Sequence, residues 1–433
     1  MSSLWYDGSR LPVFSALDEN KKTDVLIIGG GMAGILTAYF LHKRNIPYIL
    51  VEKDRICRGV TGYTTAKLTM SHGLIYDKII KKYGAQAASA YLRGGVAALD
   101  KYADLCRDID CDYEVRDNYI YSLDDRQKLE DEVLALEKLG FRAKLSEKLP
   151  LPIDTVGAVC CKGQAQFHPL KFISAIAKDL NIYEQTHVKD VDGSRAFTDK
   201  YHIDAKIIIM AAHFPFIDRH GGFFLKMYQH RSYVTALEGV QTVEGMYADE
   251  SGNGLSFRNY GDLLLLGGGG HRTGKNGGGY SCLRDFARVN YPDAVEKFAW
   301  ATQDCMTLDG IPYVGRYSAS TPHLYVATGF NKWGMVGSMM AANLLCDTVC
   351  GEKNELCEVL NPSRSILHGQ LFINAFETLT NILRPTAPRC SHLGCALKWN
   401  EAEKSWDCAC HGSRFSKDGS VINNPANKGL KPK

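Results

Sequence analysis

Two short clusters of cysteine and histidine near the end of this 433-residue chain constrain its fold more than any other feature. Each cluster presents one Cys and one His two or three residues apart, and these residues are Cys390, His392, Cys408 and His411. At this spacing a loop can offer a thiolate and an imidazole to the same metal centre. Two Cys with two His suit either a structural zinc ion or a [2Fe–2S] cluster with two His on one iron and two Cys on the other. Both alternatives require the two loops to meet.

The surroundings of the clusters favour iron–sulfur, because a closed zinc site needs four ligands and the clusters hold six candidates. Further signals follow in the same segment, namely Trp399-Asn400, Trp406-Asp407, Arg414-Phe415, Asp418-Gly419 and Pro425-Ala426. With these, residues 388–427 resemble the Rieske domain, in the disulfide-containing form found in respiratory cytochrome complexes.

The resemblance implies a role for each residue of the two loops. It makes Cys390, His392, Cys408 and His411 the ligands of a [2Fe–2S] cluster. Cys395 and Cys410 are then left over, one in each loop, where they are placed to form a disulfide over the centre. Ser413 follows the second loop and is expected to donate a hydrogen bond to a cluster sulfur, which tunes the reduction potential.

The segment departs from the Rieske pattern in two ways. Respiratory Rieske proteins usually have a Tyr two residues after this Ser, and here the position is Phe415. One hydrogen bond that raises the potential is absent, so we expect a lower potential. The region also looks short, since 361–387 supplies only a linker or shortened base and 375–383 has a helical pattern. We therefore expect the cluster to pack on the rest of the chain.

The front of the chain has the pattern of a dinucleotide-binding unit. A buried strand at 24–28 leads into the turn Gly29-Gly30-Gly31-Met32-Ala33-Gly34, a helix at 35–43 and a second strand at 48–51 that ends at Glu52. Gly29 permits the tight turn, Gly31 lets the backbone approach a pyrophosphate, and Gly34 allows close helix–strand packing. The helix N-terminus attracts phosphate, and Glu52 can accept hydrogen bonds from ribose hydroxyls.

The front unit alone does not distinguish FAD from NAD, and three further segments bear on the choice. They are the polar loop 58–67, the segment Ala211-Ala212-His213 after a strand, and a late strand at 324–328 that breaks at Gly329 before a helix at 338–350. Together with the front unit they resemble the D-amino-acid oxidase-like flavoproteins, the group of glycine and sarcosine oxidases. The resemblance implies FAD contacts at Thr61, Thr64, Thr65, Val188, Gly329, Trp333 and Gly334.

These observations predict an α/β fold with an FAD-binding Rossmann-like domain, an inserted mixed β-sheet substrate domain and a small C-terminal Rieske domain. The flavoprotein part is expected over 1–360, the linker over 361–387 and the Rieske domain over 388–433. Within the first part, nucleotide-binding pieces are expected at about 20–73, 168–222 and 314–352, with substrate-domain inserts at about 74–167 and 223–313.

The inserts contain no nucleophile motif, carboxylate pair or P-loop, which fits flavin chemistry because hydride removal needs orientation more than a strong base. The polar residues that are candidates to face a substrate cavity are Tyr233, Arg258, His271 and Lys332. For each of them a structural role is an open alternative. Asp304, Asp309 and Tyr313 lie near a strand that leads back to the flavin domain and are candidates with the same open alternative. His213 is expected either near the flavin or at a strand end.

Composition excludes little. The net charge of +3 gives no argument for a nucleic-acid partner, and no apolar run is long enough for a transmembrane helix. The start lacks a secretory signal, so the cytoplasm is the expected location. Ten of the 14 Cys lie outside the tail without metal-like spacing and are interpreted as reduced thiols.

The order of motifs resembles a group of bacterial FAD oxidoreductases fused to a C-terminal Rieske domain. The resemblance implies an enzyme that oxidises a small substrate, plausibly an amine or amino acid, and passes electrons from flavin to the [2Fe–2S] cluster and on to an external acceptor. Three alternatives stay open. In the first, the protein is a reductase in which electrons flow in reverse, from an external donor protein through the cluster to the flavin. In the second, it is an electron-transfer protein without a small-molecule substrate. In the third, the tail is a structural cap that binds zinc.

Overall fold

A computed structural model describes residues 3–252, 254–385 and 388–430 of the chain. Its strands, in chain order, are β1 (Lys21–Ile28), β2 (Tyr48–Val51), β3 (Lys67–Leu68), β4 (Glu114–Ser122), β5 (Lys144–Ser146), β6 (Gly157–Gln166), β7 (Ile182–Tyr183), β8 (Asp190–Asp192), β9 (Arg195–Phe197), β10 (His202–Met210), β11 (Met227–Glu238), β12 (Met246–Asp249), β13 (Ser256–Tyr260), β14 (Leu263–Arg272), β15 (Val295–Thr307), β16 (Tyr313–Arg316), β17 (Leu324–Thr328), β18 (Leu397–Asn400), β19 (Ser405–Cys408), β20 (Arg414–Phe415) and β21 (Val421–Asn423).

The α-helices are α1 (Met32–Lys43), α2 (Tyr76–Cys106), α3 (Arg126–Lys138), α4 (Pro169–Ile176), α5 (Phe223–Lys226), α6 (Gly279–Asn290), α7 (Gly334–Val349), α8 (Leu356–Val359) and α9 (Gly369–Leu383). Short 3₁₀-helices occur at Leu4–Tyr6 and Val60–Tyr63. None of the helices within these described ranges has the length and apolar content needed to cross a bilayer.

The first sheet has the order β16-β17-β10-β1-β2-β7, and its central strands β17, β10, β1, β2 and β7 run parallel. The second half of β1 is buried on both faces, which is why it reads as an unbroken apolar run. Helices α1 and α7 pack on each other and close one side of this sheet. The carboxyl ends of the parallel strands meet at one edge, where ligands bind in sheets of this kind.

The second sheet has nine strands and is mostly antiparallel. Its three longest strands, β15, β11 and β14, lie side by side at one end of the sheet and are 13, 12 and 10 residues long. Strand β14 continues through the glycine run 267–270. Neighbouring segments approach it too closely for side chains, since a Cβ on Gly267 would lie 2.5 Å from the Ser256 Oγ.

The third sheet is small and has the order β18-β19-β20-β21. It is joined to the rest by a linker and by α9, where the sequence predicted helix at 375–383. The linker is anchored near its start, because Arg364 forms a buried ion pair of 2.7 Å with Asp309 and its guanidinium lies over the Tyr313 ring. The predicted domain bounds stay predictions. Near two of them, at about 73 and 314, the chain passes from one sheet to the other, since β3 belongs to the second sheet and β16 to the first.

Candidate functional site

The glycine turn after β1 brings three backbone segments into contact. Gly29 has a φ of +115°, and a Cβ there would lie 2.5 Å from the carbonyl oxygen of Ala211 at the end of β10. A Cβ on Gly34 would lie 1.9 Å from the carbonyl oxygen of Gly29, so only glycine lets α1 pack this close to the strand. Gly31 is the N-cap of α1 and borders the cavity, where a Cβ would approach the hydroxyl of Thr61 to 3.4 Å.

Glu52 stands at the end of β2 beside this turn. Its carboxylate accepts hydrogen bonds from the backbone N–H of Gly30 at 2.7 Å and of Asp54 at 3.0 Å. Burial raises the pKa of Glu52, and these two hydrogen bonds oppose that shift. The carboxylate is therefore fixed at the wall of the cavity, where it can accept from a ribose.

A single cavity of about 1140 Å³ opens at this sheet edge. Its walls include Gly29, Gly31, Glu52, Thr61, Thr64, Thr65, Val188, Gly329, Trp333 and Gly334, all of which the sequence predicted as cofactor contacts. Gly34 is not part of the wall, in agreement with its expected role in packing. Val188 lies in the loop between β7 and β8, which are both very short strands. The assignment of these residues to FAD stays a prediction.

The far end of the cavity lies under the second sheet. Tyr233, Lys332, Asp304 and His213 line it. Desolvation raises the pKa of Asp304 to about 6, with Lys332 opposing the shift, and burial lowers the pKa of Lys332. An acid and a base with altered proton affinity thus face the same space, as groups at functional sites commonly do.

Arg258 and His271 do not line this cavity, contrary to what the sequence suggested for them. The Arg258 guanidinium is buried, donates to the carbonyl oxygen of Ala66 at 2.8 Å and lies over the Trp5 ring, so it is occupied in the core. His271 stacks on Tyr233 with ring centroids 5.8 Å apart and sits behind that residue. Asp309 and Tyr313 hold the linker instead of facing the cavity.

The two Cys/His loops meet in the third sheet. The rings of His392 and His411 lie edge to face with centroids 5.0 Å apart, and the Nδ1 atoms of both are buried without a hydrogen-bond partner. The thiols of Cys390 and Cys408 are hydrogen-bonded to each other, which lowers the pKa of Cys390 and raises that of Cys408. Two buried imidazole nitrogens without partners and two adjacent thiols are the donor types that a cluster with two His and two Cys ligands requires.

Cys395 and Cys410 form a disulfide that joins the loops, as the Rieske resemblance implied. Their sulfurs and that of Cys408 lie within 4.8 Å of one another, so the disulfide is next to the ligand set. The Ser413 hydroxyl accepts from the backbone N–H of Ala426 at 3.1 Å and lies beside Cys390. Phe415 is fully buried two residues further on.

The second cluster loop is held by side chains of the second sheet. Arg272 donates to the carbonyl oxygens of Ala409 and Cys410 at 3.0 and 3.1 Å. Gln229 donates to that of His411 at 2.8 Å, and Gln303 to that of Gly412 at 2.9 Å.

The cluster region also contacts the first sheet. Asn424 donates to the carbonyl oxygens of Ala212 and Phe214, just after β10, at 2.7 and 2.6 Å. The Nε2 atom of His392 lies 2.8 Å from a carboxylate oxygen of Asp218.

A buried group of charges closes the cavity from the side of the third sheet. Glu403 lies between Arg231 of β11 and Arg414 of β20, with 2.8 Å to Arg414, and Arg414 also binds Asp407 at 2.9 Å. The cavity wall on this side consists of residues from the C-terminal region, namely Ala402, Glu403, Lys404, Arg414, Ser420, Val421, Ile422, Asn423, Asn424, Ala426, Asn427 and Gly429.

The sequence did not reveal Gln229, Gln303, Arg272, Asn424 or the Glu403 group. A weak signal was available, because Gln229 is an amide within β11, a long strand that is otherwise largely buried. A buried amide requires hydrogen-bond partners, but a sequence does not say which ones.

Comparisons with known proteins agree with both halves of the chain. The sequence model of the FAD dependent oxidoreductase family matches residues 24–348, and that of the Rieske [2Fe-2S] domain matches residues 364–432. A Bacillus subtilis protein described as a Rieske 2Fe-2S iron-sulfur protein, YhfW, is 34% identical over 490 aligned positions, which cover 99% of this chain and 96% of that protein.

More distant similarity concerns the flavoprotein part. The gamma-glutamylputrescine oxidoreductase of Escherichia coli is 24% identical over 382 positions, covering 78% of this chain and 86% of the relative. The crystal structure of glycine oxidase from Geobacillus kaustophilus superimposes with a TM-score of 0.65 at 20% identity, covering 80% of this chain and all of that one. At this identity the structural match shows the fold alone.

Fold and site thus define a flavin oxidoreductase with an appended iron–sulfur domain. The chain belongs to the FAD dependent oxidoreductase family and carries a C-terminal Rieske [2Fe-2S] domain. Its cofactors are FAD and a [2Fe–2S] cluster, and it is an oxidoreductase enzyme.

Proposed function

We propose that the protein oxidises a small substrate, an amine or an amino acid, at the flavin and passes the electrons through the Rieske cluster to an external acceptor. One observation carries this proposal. The cavity bordered by the glycine turn is walled on its other side by the cluster region, and Gln303 both lines that cavity and binds the cluster loop. The predicted FAD contacts line this cavity and the predicted cluster loop is bound by a side chain of the same cavity, and this proximity supports internal electron transfer.

The size and charge of the cavity argue against a pure electron carrier. FAD would fill much of its volume of about 1140 Å³, and the space left for a substrate is the part that extends past the predicted cofactor contacts to Lys332 and Asp304. The cavity also contains Arg231 and Lys67, and burial lowers the pKa of Lys67 to about 7. A protein that only moves electrons between partners has no use for such a lined space.

Each cofactor has a set of candidate contacts in this chain. For FAD they are the α1 N-terminus, Glu52, the loop from Thr61 to Thr65 and the α7 N-terminus at Gly334. For the cluster they are Cys390, His392, Cys408 and His411. When bound, the flavin accepts a hydride as an electron pair and the cluster carries single electrons.

The residues at the far end of the cavity would bind and orient the substrate. Lys332 donates a hydrogen bond to the carbonyl oxygen of Gly252 and attracts Asp304. With its pKa raised to about 6, Asp304 is still mostly ionised at neutral pH and can accept a hydrogen bond from a substrate amine. Tyr233 closes the wall beside them, and its hydroxyl donates to Glu403 at 3.3 Å.

The test is anaerobic reduction of the purified holoprotein with a panel of amines and amino acids. Flavin absorbance and the electron-spin signal of the cluster are followed together. We expect the flavin to bleach first and the cluster signal to appear in the same reaction. A cluster that stays oxidised while the flavin is fully reduced, with a measured potential high enough to accept electrons, would overturn the proposal.

Reversed flow is the second candidate, and Phe415 favours it. The Phe removes a hydrogen bond that raises the potential of the cluster, and a low-potential cluster is a better donor than acceptor. Redox titration of both cofactors distinguishes the directions. A cluster potential clearly below that of the flavin would assign the protein as a reductase that is fed by an external donor.

A further inference from the structure

Helix α9, which leads into the cluster region, is oriented with its polar side towards the protein. Asn374 and Asn381 are buried, and Asn374 accepts a hydrogen bond from Arg272 at 2.9 Å. Glu377, between them on the same side, forms an ion pair of 2.6 Å with Lys275. The helix is therefore attached to the protein through polar contacts, whereas an ordinary surface helix packs its apolar side on the protein.

The opposite side of α9 is apolar and exposed. Phe372, Phe376, Leu379 and Leu383 recur at the spacing of one helix face and are 70%, 66%, 60% and 78% exposed. Single exposed apolar residues are common on protein surfaces, but four large ones that are adjacent on one helix face form a contiguous patch. Such a patch marks an interaction surface. We call these four residues, together with the flanking Leu367, Ile373 and Ile382, the α9 face.

The α9 face continues towards the cluster. Arg389 donates to the carbonyl oxygens of Ile382 at 3.0 Å and Gly394 at 3.1 Å, which fixes the first cluster loop against the end of the helix. Leu393, next to the ligand His392, is itself 41% exposed in that loop. Whatever covers the α9 face therefore lies beside the cluster loop.

Cations stand at both ends of the α9 face. At the N-terminal end the exposed Lys82 lies 2.6 Å from the Nδ1 atom of His368, the N-cap of the helix. At the C-terminal end Arg384 is the C-cap and Arg389 follows it, and both are exposed. The helix has one acidic residue, Glu377, and that residue faces the protein.

We propose that the α9 face docks on an anionic membrane surface, with the helix lying in the plane of the interface. A helix whose apolar side carries Phe and Leu and whose ends carry Lys and Arg has the composition of interfacial membrane helices. Anionic headgroups attract juxtamembrane cations, and acyl chains receive the apolar side chains. The protein would bind at the surface through this one helix.

Charge disfavours a second copy of the chain as the occupant. A two-fold contact between two α9 faces would bring Lys82, Arg384 and Arg389 of one copy near those of the other, without an acidic partner on either face. A lipid surface with anionic headgroups has the complementary charge. The membrane proposal is independent of the direction in which electrons flow through the cofactors.

The test is sedimentation of the holoprotein with vesicles of phosphatidylcholine alone and of phosphatidylcholine mixed with phosphatidylglycerol. We expect binding to the anionic vesicles, weakening at high salt, and little binding to the neutral ones. The double variant Phe372→Ser/Phe376→Ser should lose roughly tenfold or more of the affinity, since it removes two of the exposed aromatic rings. Leu134→Ser, which changes a 62% exposed Leu on α3, is the matched control and should bind as the wild type does.

A second variant, Lys82→Gln/Arg384→Gln, keeps the apolar side and removes charge. It should lose the preference for anionic vesicles, and the visible spectra of both cofactors report whether each variant is folded. Wild-type protein that stays in the supernatant with every vesicle overturns the proposal. So does a wild-type dimer in light scattering that Phe372→Ser/Phe376→Ser converts to monomers without any vesicle binding, which would make a second copy the occupant.

Discussion

The nucleotide-binding region and the Rieske region of this protein are stabilised in different ways. The first is part of a large apolar core, in which β1, α1 and α7 pack together with helices and strands of the second sheet's region. The second has a core of seven buried apolar residues, and four of them are the cysteines Cys390, Cys395, Cys408 and Cys410. Its remaining support comes from hydrogen bonds and ion pairs with other domains. One region is stabilised mainly by buried apolar side chains, and the other by its ligands and by polar contacts with its neighbours.

The two cofactor sites differ in the same way. The predicted FAD contacts are backbone turns and scattered side chains, so that many weak contacts are expected to share the binding. The cluster is expected to be held by four side-chain bonds, so that a single substitution should have an all-or-none effect. The following predictions probe this difference, beginning with the largest effect.

Replacing one cluster ligand should remove the cluster and spare the flavin. In Cys408→Ser we expect complete loss of the cluster, because a hydroxyl is a poor ligand for iron–sulfur centres, with FAD content unchanged. Iron analysis, the electron-spin signal and flavin absorbance measure this. Cys282→Ser, at an exposed free cysteine, is the control. Loss of flavin together with iron would show that the two regions are not separable.

Weakening the docking of the cluster loop should destabilise the Rieske region alone. In Gln229→Ala the carbonyl oxygens of His411 and Asn424 lose their donor in a buried site, at a cost of about 2–4 kcal/mol. We expect the urea midpoint followed by cluster absorbance to fall, while the flavin signal keeps its midpoint.

The control for this substitution is Gln127→Ala, which removes an amide on the exposed side of α3. It should leave both midpoints in place. A parallel fall of the two signals in Gln229→Ala would mean that the regions unfold together and that the contrast between them is wrong.

Lowering the pH should mainly reduce the stability of the flavoprotein part. Burial lowers the pKa of His72 to about 4, so this imidazole is neutral in the folded protein and takes up a proton on unfolding below about pH 6.5. Its contribution to stability is complete above pH 6.5 and is lost as pH falls towards 4, by about 2 kcal/mol at pH 5. His72→Gln should flatten this part of the pH profile of flavin-monitored unfolding. An unchanged profile would contradict the assignment.

The smallest expected effect concerns the potential of the cluster. Phe415→Tyr restores a hydroxyl two residues after Ser413 and should raise the reduction potential by something on the order of tens of millivolts. Ser413→Ala should shift it in the opposite direction, because it removes a hydrogen bond to the cluster sulfurs. Protein-film voltammetry measures both, and equal potentials in the three proteins would exclude hydrogen-bond tuning.

The sequence was sufficient where chemistry depends on local spacing. The glycine turn with Glu52, the two Cys/His loops and the Cys395–Cys410 disulfide are short patterns, and the fold class, both cofactors and this disulfide are confirmed. The helix at 375–383 was also visible, because helical periodicity is a local property. The roles of individual cofactor contacts stay predictions.

The sequence was insufficient where a role depends on distant partners. Arg258 and His271 were candidates for the cavity because they are polar residues near strands, and the fold instead turns them towards Trp5 and Tyr233. Gln229 and Gln303 bind a loop about 180 and 110 residues away, and no periodicity encodes such a pairing. The orientation of α9 was hidden for the same reason, since an amphipathic pattern does not say which side faces the protein.

The order of the chain gives the docking of the cluster loop a further meaning. Proteins are made from the N-terminus, and early domains fold while later ones are still being synthesised. The strands that carry Gln229, Arg272 and Gln303 precede Cys390 by roughly 90 or more residues, so they can be folded before the first ligand emerges. We therefore expect the second cluster loop to dock on a flavoprotein part that is already folded. Insertion of the iron–sulfur centre is then the final step of assembly.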